Sequence, residues 1–83
     1  MTYEVVWDET TVATAAKYLD DDPAGLAALL EVIDRLGQEP RPAEATPLGS
    51  ANLRRLHCGR YRVLLEVDDA TRVVTLIHVG RLG

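Results

Sequence analysis

Between Arg54 and Arg62 the sequence reads RRLHCGRYR, four arginines and a histidine within nine residues and no acid among them. Guanidinium groups stay protonated, and their planar forks grip phosphate or carboxylate oxygens in pairs, so this cluster has the chemistry of an anion site. His57 adds an imidazole, a group that ordinarily titrates at about 6.5 and can move a proton. The surroundings make the cluster conspicuous. The chain carries nine Lys/Arg against thirteen Asp/Glu, a net charge of −4, so removing Arg54, Arg55, Arg60 and Arg62 leaves a remainder twice as negative as the whole. A solvated hairpin could carry the same charges, because arginines on the open face of a sheet maintain solubility and discourage edge pairing. Charge alone leaves both readings open.

The totals bound what can hold such a site. Eighty-three residues with 47% hydrophobic content suit one small domain spanning residues 1–83, with a core built mainly of aliphatic side chains. The single Cys58 rules out an internal disulfide, and no histidine or cysteine spacing suggests a zinc site, so no metal or cofactor is expected. The opening MTYEVVWDE has no basic segment leading into an apolar run, and no apolar stretch is long enough to span a bilayer. A cytoplasmic protein without membrane contact is expected. Net negative charge disfavours nucleic-acid binding over the whole surface, so any such binding must be local.

The elements that would position the cluster follow from periodicity. Tyr3–Trp7 is β-branched and aromatic, a short first strand. Asp8 can cap a helix from Glu9 to about Asp20, with Val12, Ala15, Ala16 and Leu19 at helical spacing. Asp22-Pro23 has the form of an N-cap followed by proline in the first turn, opening a second helix whose stripe is Leu26, Leu29, Leu30, Ile33 and Leu36. Gly37 is expected to end it in the left-handed conformation. Gln38–Asn52, with three prolines, reads as a long connection without an element of its own. Three strands follow: Leu53–Cys58, Tyr61–Val67 and Arg72–Val79, the first two joined by a tight turn at Gly59-Arg60. The order βααβββ predicts an α+β fold in which a helical hairpin packs on one face of an antiparallel sheet, with the first strand at an edge.

A Gly59-Arg60 turn sets Cys58 opposite Tyr61, His57 opposite Arg62 and Arg55 opposite Leu64. Leu56, Cys58, Tyr61, Val63, Leu65 and Val67 then face the helices, and Arg55, His57 and Arg62 share the open face. Arg54 falls on the helix side and must extend to an edge. Carried across a four-residue loop, Asp68–Thr71, the register pairs Val67 with Arg72 and Arg62 with Ile77. Val73, Thr75, Ile77, Val79 and Arg81 would then lie on the Arg62 face, so that Arg81 joins the basic group. His78 is expected in the core or at an edge.

YEVVWDETTVATAAKYL, the LGQEP helix exit and PLGSANLRRLHCGRYRVLLEVDDATRVVTLIHVG together resemble the RelE/ParE superfamily of type II toxins over nearly the whole chain. Members share a hairpin of the form Arg-Leu-Arg-x-Gly-x-Tyr-Arg-Val; here it reads RLHCGRYRV, with His57 where a second basic residue is usual. The resemblance implies a toxin neutralised by a mostly helical cognate antitoxin that wraps the domain. In the RelE branch it implies a ribosome-dependent mRNA endonuclease that cleaves by attack of a ribose 2′-hydroxyl on the adjacent phosphate. Arg55, Arg62 and Arg81 would then stabilise charge, His57 would transfer protons, and Arg54 and Arg60 would contact RNA. Tyr61 is expected to be structural. Many relatives carry an arginine where this chain has Leu82 and continue into a tail with a tyrosine. Two further functions fit the same scaffold: a ParE-like inhibitor of DNA gyrase, and a weak or inactive toxin that acts through antitoxin binding and operon autoregulation.

Overall fold

Two aspartates set the helices. A computed structural model describes residues 2–50 and 52–82; Gly83, from which a tail would continue, lies outside them. Asp8 caps helix α1, Glu9–Asp21, by accepting from the Thr10 N–H at 3.3 Å. Asp22 serves both helices. Its own N–H donates to the Tyr18 carbonyl at the end of α1, and its carboxylate accepts from the Gly25 N–H at 3.1 Å to open α2, Pro23–Arg35. The hairpin is thus joined through a single residue: the first helix runs to Asp21, just past its expected end near Asp20, and Asp22-Pro23 opens the second as expected.

Helix α2 buries Leu26, Leu29 and Ile33, followed by Leu36 in the turn after it. Gly37 departs from expectation, since the described glycines with positive φ are Gly49 and Gly59. Its value lies in close approach: the Tyr3 N–H donates to its carbonyl at 2.7 Å, and a Cβ at 37 would stand 3.1 Å from the Tyr3 carbonyl oxygen. Helix α1 is also turned from the expected phase. Thr11 and Ala15 face inward, while Val12 and Leu19 remain exposed at 51% and 43%.

The sheet comprises β1 (Glu4–Trp7), β2 (Ala45–Pro47), β3 (Leu53–Cys58), β4 (Tyr61–Asp68) and β5 (Val73–Arg81), in the order β1-β5-β4-β3-β2. Three pairings are antiparallel, but β1 runs parallel to β5 with Glu4 opposite Val73 and Trp7 opposite Leu76, so the sheet is mixed. The reason is connectivity: the chain leaves β1 directly into helices that cross one face, the kind of route a parallel pair requires. β2 lies within the stretch expected to be element-free. Its Pro47 is tolerated because the strand is an edge, where a missing N–H breaks no ladder.

The β3–β4 register is the expected one, with Gly59 at φ 58° in the turn. The β4–β5 register is not. Asp68 belongs to the strand and accepts from the N–H groups of Ala70 and Thr71, and Arg72 closes the turn at φ 58°, so Val67 pairs with Val74. A bulge follows: Leu65 pairs with Leu76 but Leu64 with His78, leaving Ile77 unpaired. The Thr11 hydroxyl donates to the Ile77 carbonyl at 2.8 Å, and Thr11 is 2% exposed. Beyond the bulge the faces exchange. Val79 goes into the core and Arg81 to the helix side, while His78 and Gly80 come to the open face, correcting the expected positions of all three named side chains.

The core joins Leu26, Leu29, Ile33 and Leu36 to Leu56, Tyr61, Val63, Leu65, Val67, Val74, Leu76 and Val79 across one face of the sheet. Each of the large aliphatic side chains among them contributes about 1.5–3 kcal/mol through burial. No helix among the described residues is long and apolar enough to cross a membrane.

Candidate functional site: a cationic depression on the open sheet face

Three adjacent strands build the site. Arg55 on β3 pairs with Leu64 on β4, which pairs with His78 on β5; one row along, His57 pairs with Arg62 and Arg62 with Gly80. These side chains share the face away from the helices. With Leu48, Gly80 and Arg81, the side chains of Arg55, Arg62, Leu64 and His78 line a depression of about 410 Å³. The loop that brings in Leu48 is tied down by Arg41, which bonds to both carboxylate oxygens of Asp69 at 3.0 and 2.9 Å and to the Asn52 side-chain oxygen at 2.9 Å.

Among the described residues neither Arg55 nor Arg62 forms an ion pair. Arg55 Nε is buried without a hydrogen-bond partner. A buried guanidinium N–H left unsatisfied is costly. His57 is exposed and shares the face, but it does not line the depression. A site of this kind can bind an oxyanion between two fixed positive charges.

The other arginines are engaged by other groups. Arg81 pairs with Asp21, and its guanidinium carbon lies 4.7 Å from the centroid of the Tyr18 ring. Its pKa is raised, chiefly by the Asp21 carboxylate. Arg60 reaches Asp22 at 3.3 Å, and the Tyr61 hydroxyl donates to the same carboxylate at 2.9 Å. That hydroxyl, then the Gly25 N–H and Arg60, hold Asp22 below the usual carboxylate range. The expectation that Arg81 joins the basic face is therefore corrected in part: Arg81 lines the depression, but it pairs with Tyr61 on the helix side and its guanidinium anchors the helical joint to the sheet. Arg54, on the helix side, extends to the Ala45 carbonyl at 3.0 Å on the edge strand.

The family model for the ParE toxin of type II toxin–antitoxin systems matches residues 9–82. The chain belongs to that family. As a type II toxin of the RelE/ParE superfamily, it shares its fold with solved relatives. A chain of the archaeal RelE–RelB complex from Pyrococcus horikoshii is 28% identical at a TM-score of 0.83, covering 100% of this toxin and 98% of that chain. The RelBE2 toxin–antitoxin complex from Mycobacterium tuberculosis gives 26% identity and a TM-score of 0.81, covering 99% and 100%. The chromosomal ParDE system of Pseudomonas aeruginosa, at 11% identity and a TM-score of 0.71 over 99% and 98%, supports the fold alone. No curated protein matches by sequence.

Sequence reasoning placed Arg55, His57 and Arg62 on one face of the toxin but missed His78 and Leu48. A signal for His78 was present. In VVTLIHV, one phase of strict alternation would bury His78 and the other would bury Thr75, and a bulge between them avoids both. Leu48 carried no comparable signal, because a loop and not a strand period brings it to the site.

Proposed function

We propose that the toxin is a ribosome-dependent mRNA endonuclease of the RelE kind, cleaving by attack of a ribose 2′-hydroxyl on the adjacent phosphate. The observation that carries this reading is the pair of arginines, free of ion pairs among the described residues, that flank one depression of the open face. In-line attack builds charge on the non-bridging phosphate oxygens. Fixed guanidinium groups stabilise that charge without reorganising, and removing one such donor typically costs about 10²–10³ in rate. Arginine is too weak an acid to serve as the base, so Arg55 and Arg62 bind and stabilise.

Mapping mRNA 5′ ends in a translating extract tests the reading. Wild-type toxin should create new ends, and Arg62→Ala should reduce them by about 10²-fold or more. Equal cleavage by the variant, or none by the wild type, would sink the proposal. A second reading, inhibition of DNA gyrase, has the ParE family model in its favour. It is supported if the toxin blocks gyrase supercoiling and leaves mRNA intact.

A cognate antitoxin is the expected partner. Its docking is favoured by an apolar groove of about 390 Å³ on the opposite face, lined by Trp7, Val12, Ala16, Leu19, Leu26 and Leu30. Such a groove suits the apolar side of an amphipathic helix.

A further inference from the structure

We propose that His78 is the proton-transfer residue of the cationic depression, a role the charge cluster alone would give to His57. The proposal rests on the nuclease reading above. Three observations place the imidazole where the reaction would need it. The bulge at Ile77 exchanges the faces of β5, so that His78 emerges beside Leu64, the cross-strand partner of Arg55. The buried Thr11 hydroxyl holds that bulge by donating to the Ile77 carbonyl. Gly80, directly opposite Arg62, lies against the ring: a Cβ there would stand at contact distance, 3.4 Å, from His78 Nε2. The imidazole therefore leans along β5 from the Arg55 row toward the Arg62 row.

His78 is exposed, and among the described residues its ring makes no hydrogen bond, so both nitrogens are open to a substrate. The groups sharing the depression with it are the cationic Arg55, Arg62 and Arg81, the last of them paired with Asp21, together with Gly80 and the apolar Leu48 and Leu64. His57 is also exposed, but it sits at the hairpin end of β3, outside the depression lining.

The step balances without a further reagent except water. Neutral His78 accepts the 2′-hydroxyl proton as the O2′–P bond forms, and the P–O5′ bond breaks with its electron pair on O5′. Solvent water protonates O5′. The products are a 2′,3′-cyclic phosphate and a 5′-hydroxyl, and the imidazolium returns its proton to solvent. Arg55 and Arg62 carry the phosphate charge throughout.

The test is single-turnover cleavage of ribosome-bound mRNA by the full chain. His78→Gln should slow cleavage by about 10²–10⁴-fold while ribosome binding is retained, and exogenous imidazole should restore part of the rate to His78→Ala. A wild-type rate in His78→Gln, with cleavage still abolished in Arg62→Ala, overturns the His78 assignment and leaves the nuclease reading standing. An equal loss in His57→Gln and His78→Gln, or no rescue by imidazole, also overturns it. Absence of cleavage by the wild type removes both.

Discussion

The arginines take two unlike roles in this fold. Arg60 and Arg81 are spent on carboxylates at the helical joint, whereas Arg55 and Arg62 keep their charge unneutralised over the open face. The joint and the Arg41 clasp make stability depend on acid. Asp22 is held below its ordinary pKa by Tyr61, Gly25 and Arg60, and Asp69 by Arg41 and Tyr3. A carboxylate with a depressed folded pKa adds stability that is fully present above its unfolded value of about 3.9 and is lost as pH falls through the folded one. The urea midpoint should therefore decline below about pH 4, and Asp69→Asn should flatten that decline. An unchanged pH profile in Asp69→Asn would show that the clasp contributes nothing.

The elements were largely legible because their signals are local. Asp22-Pro23 announced both the helix junction and its cap, and Gly59-Arg60 fixed a register that put Arg55, His57 and Arg62 on one face. What failed was non-local. The turn between β4 and β5 begins one residue later than its composition suggested, and the bulge at Ile77 depends on a threonine 66 positions away. β2 has three residues and a proline, too short for alternation to register. The parallel sense of β1 follows from where its neighbour's chain runs and leaves no trace in YEVVW. Thr11→Val should cost about 0.5–1.5 kcal/mol in urea unfolding, because the part-buried bulged carbonyl would lose its donor, whereas Thr11→Ser should cost less. Equal stability of Thr11→Val and wild type would mean that the bulge needs no such support.

Seen as a whole, the molecule has two working sides separated by the sheet. The apolar groove belongs to the helical side and the cationic depression to the open side, so a partner seated in the groove does not by itself cover the arginines. A neutralising antitoxin that blocks both must pass around an edge. Leu19→Asp, at a position 43% exposed in the groove, should weaken co-elution with the antitoxin by at least about tenfold, the effect of about 1.4 kcal/mol, and leave mRNA cleavage intact. Loss of cleavage in step with loss of binding would mean that the two sides are coupled or that the fold is damaged. The groove was only half visible in sequence: Val12, Ala16 and Leu19 were read as an apolar stripe, but the stripe faces solvent and not the core.

The parallel pairing of β1 with β5 also orders events during synthesis. β1 emerges first, yet its sheet hydrogen bonds await residues 73–76, so the helical hairpin can form from local contacts well before the sheet is complete. A nascent chain that has reached β4 already carries Arg55 and Arg62 but has neither His78 nor the strand that anchors β1. The complete cationic face is thus assembled late, only once β5 has left the ribosome.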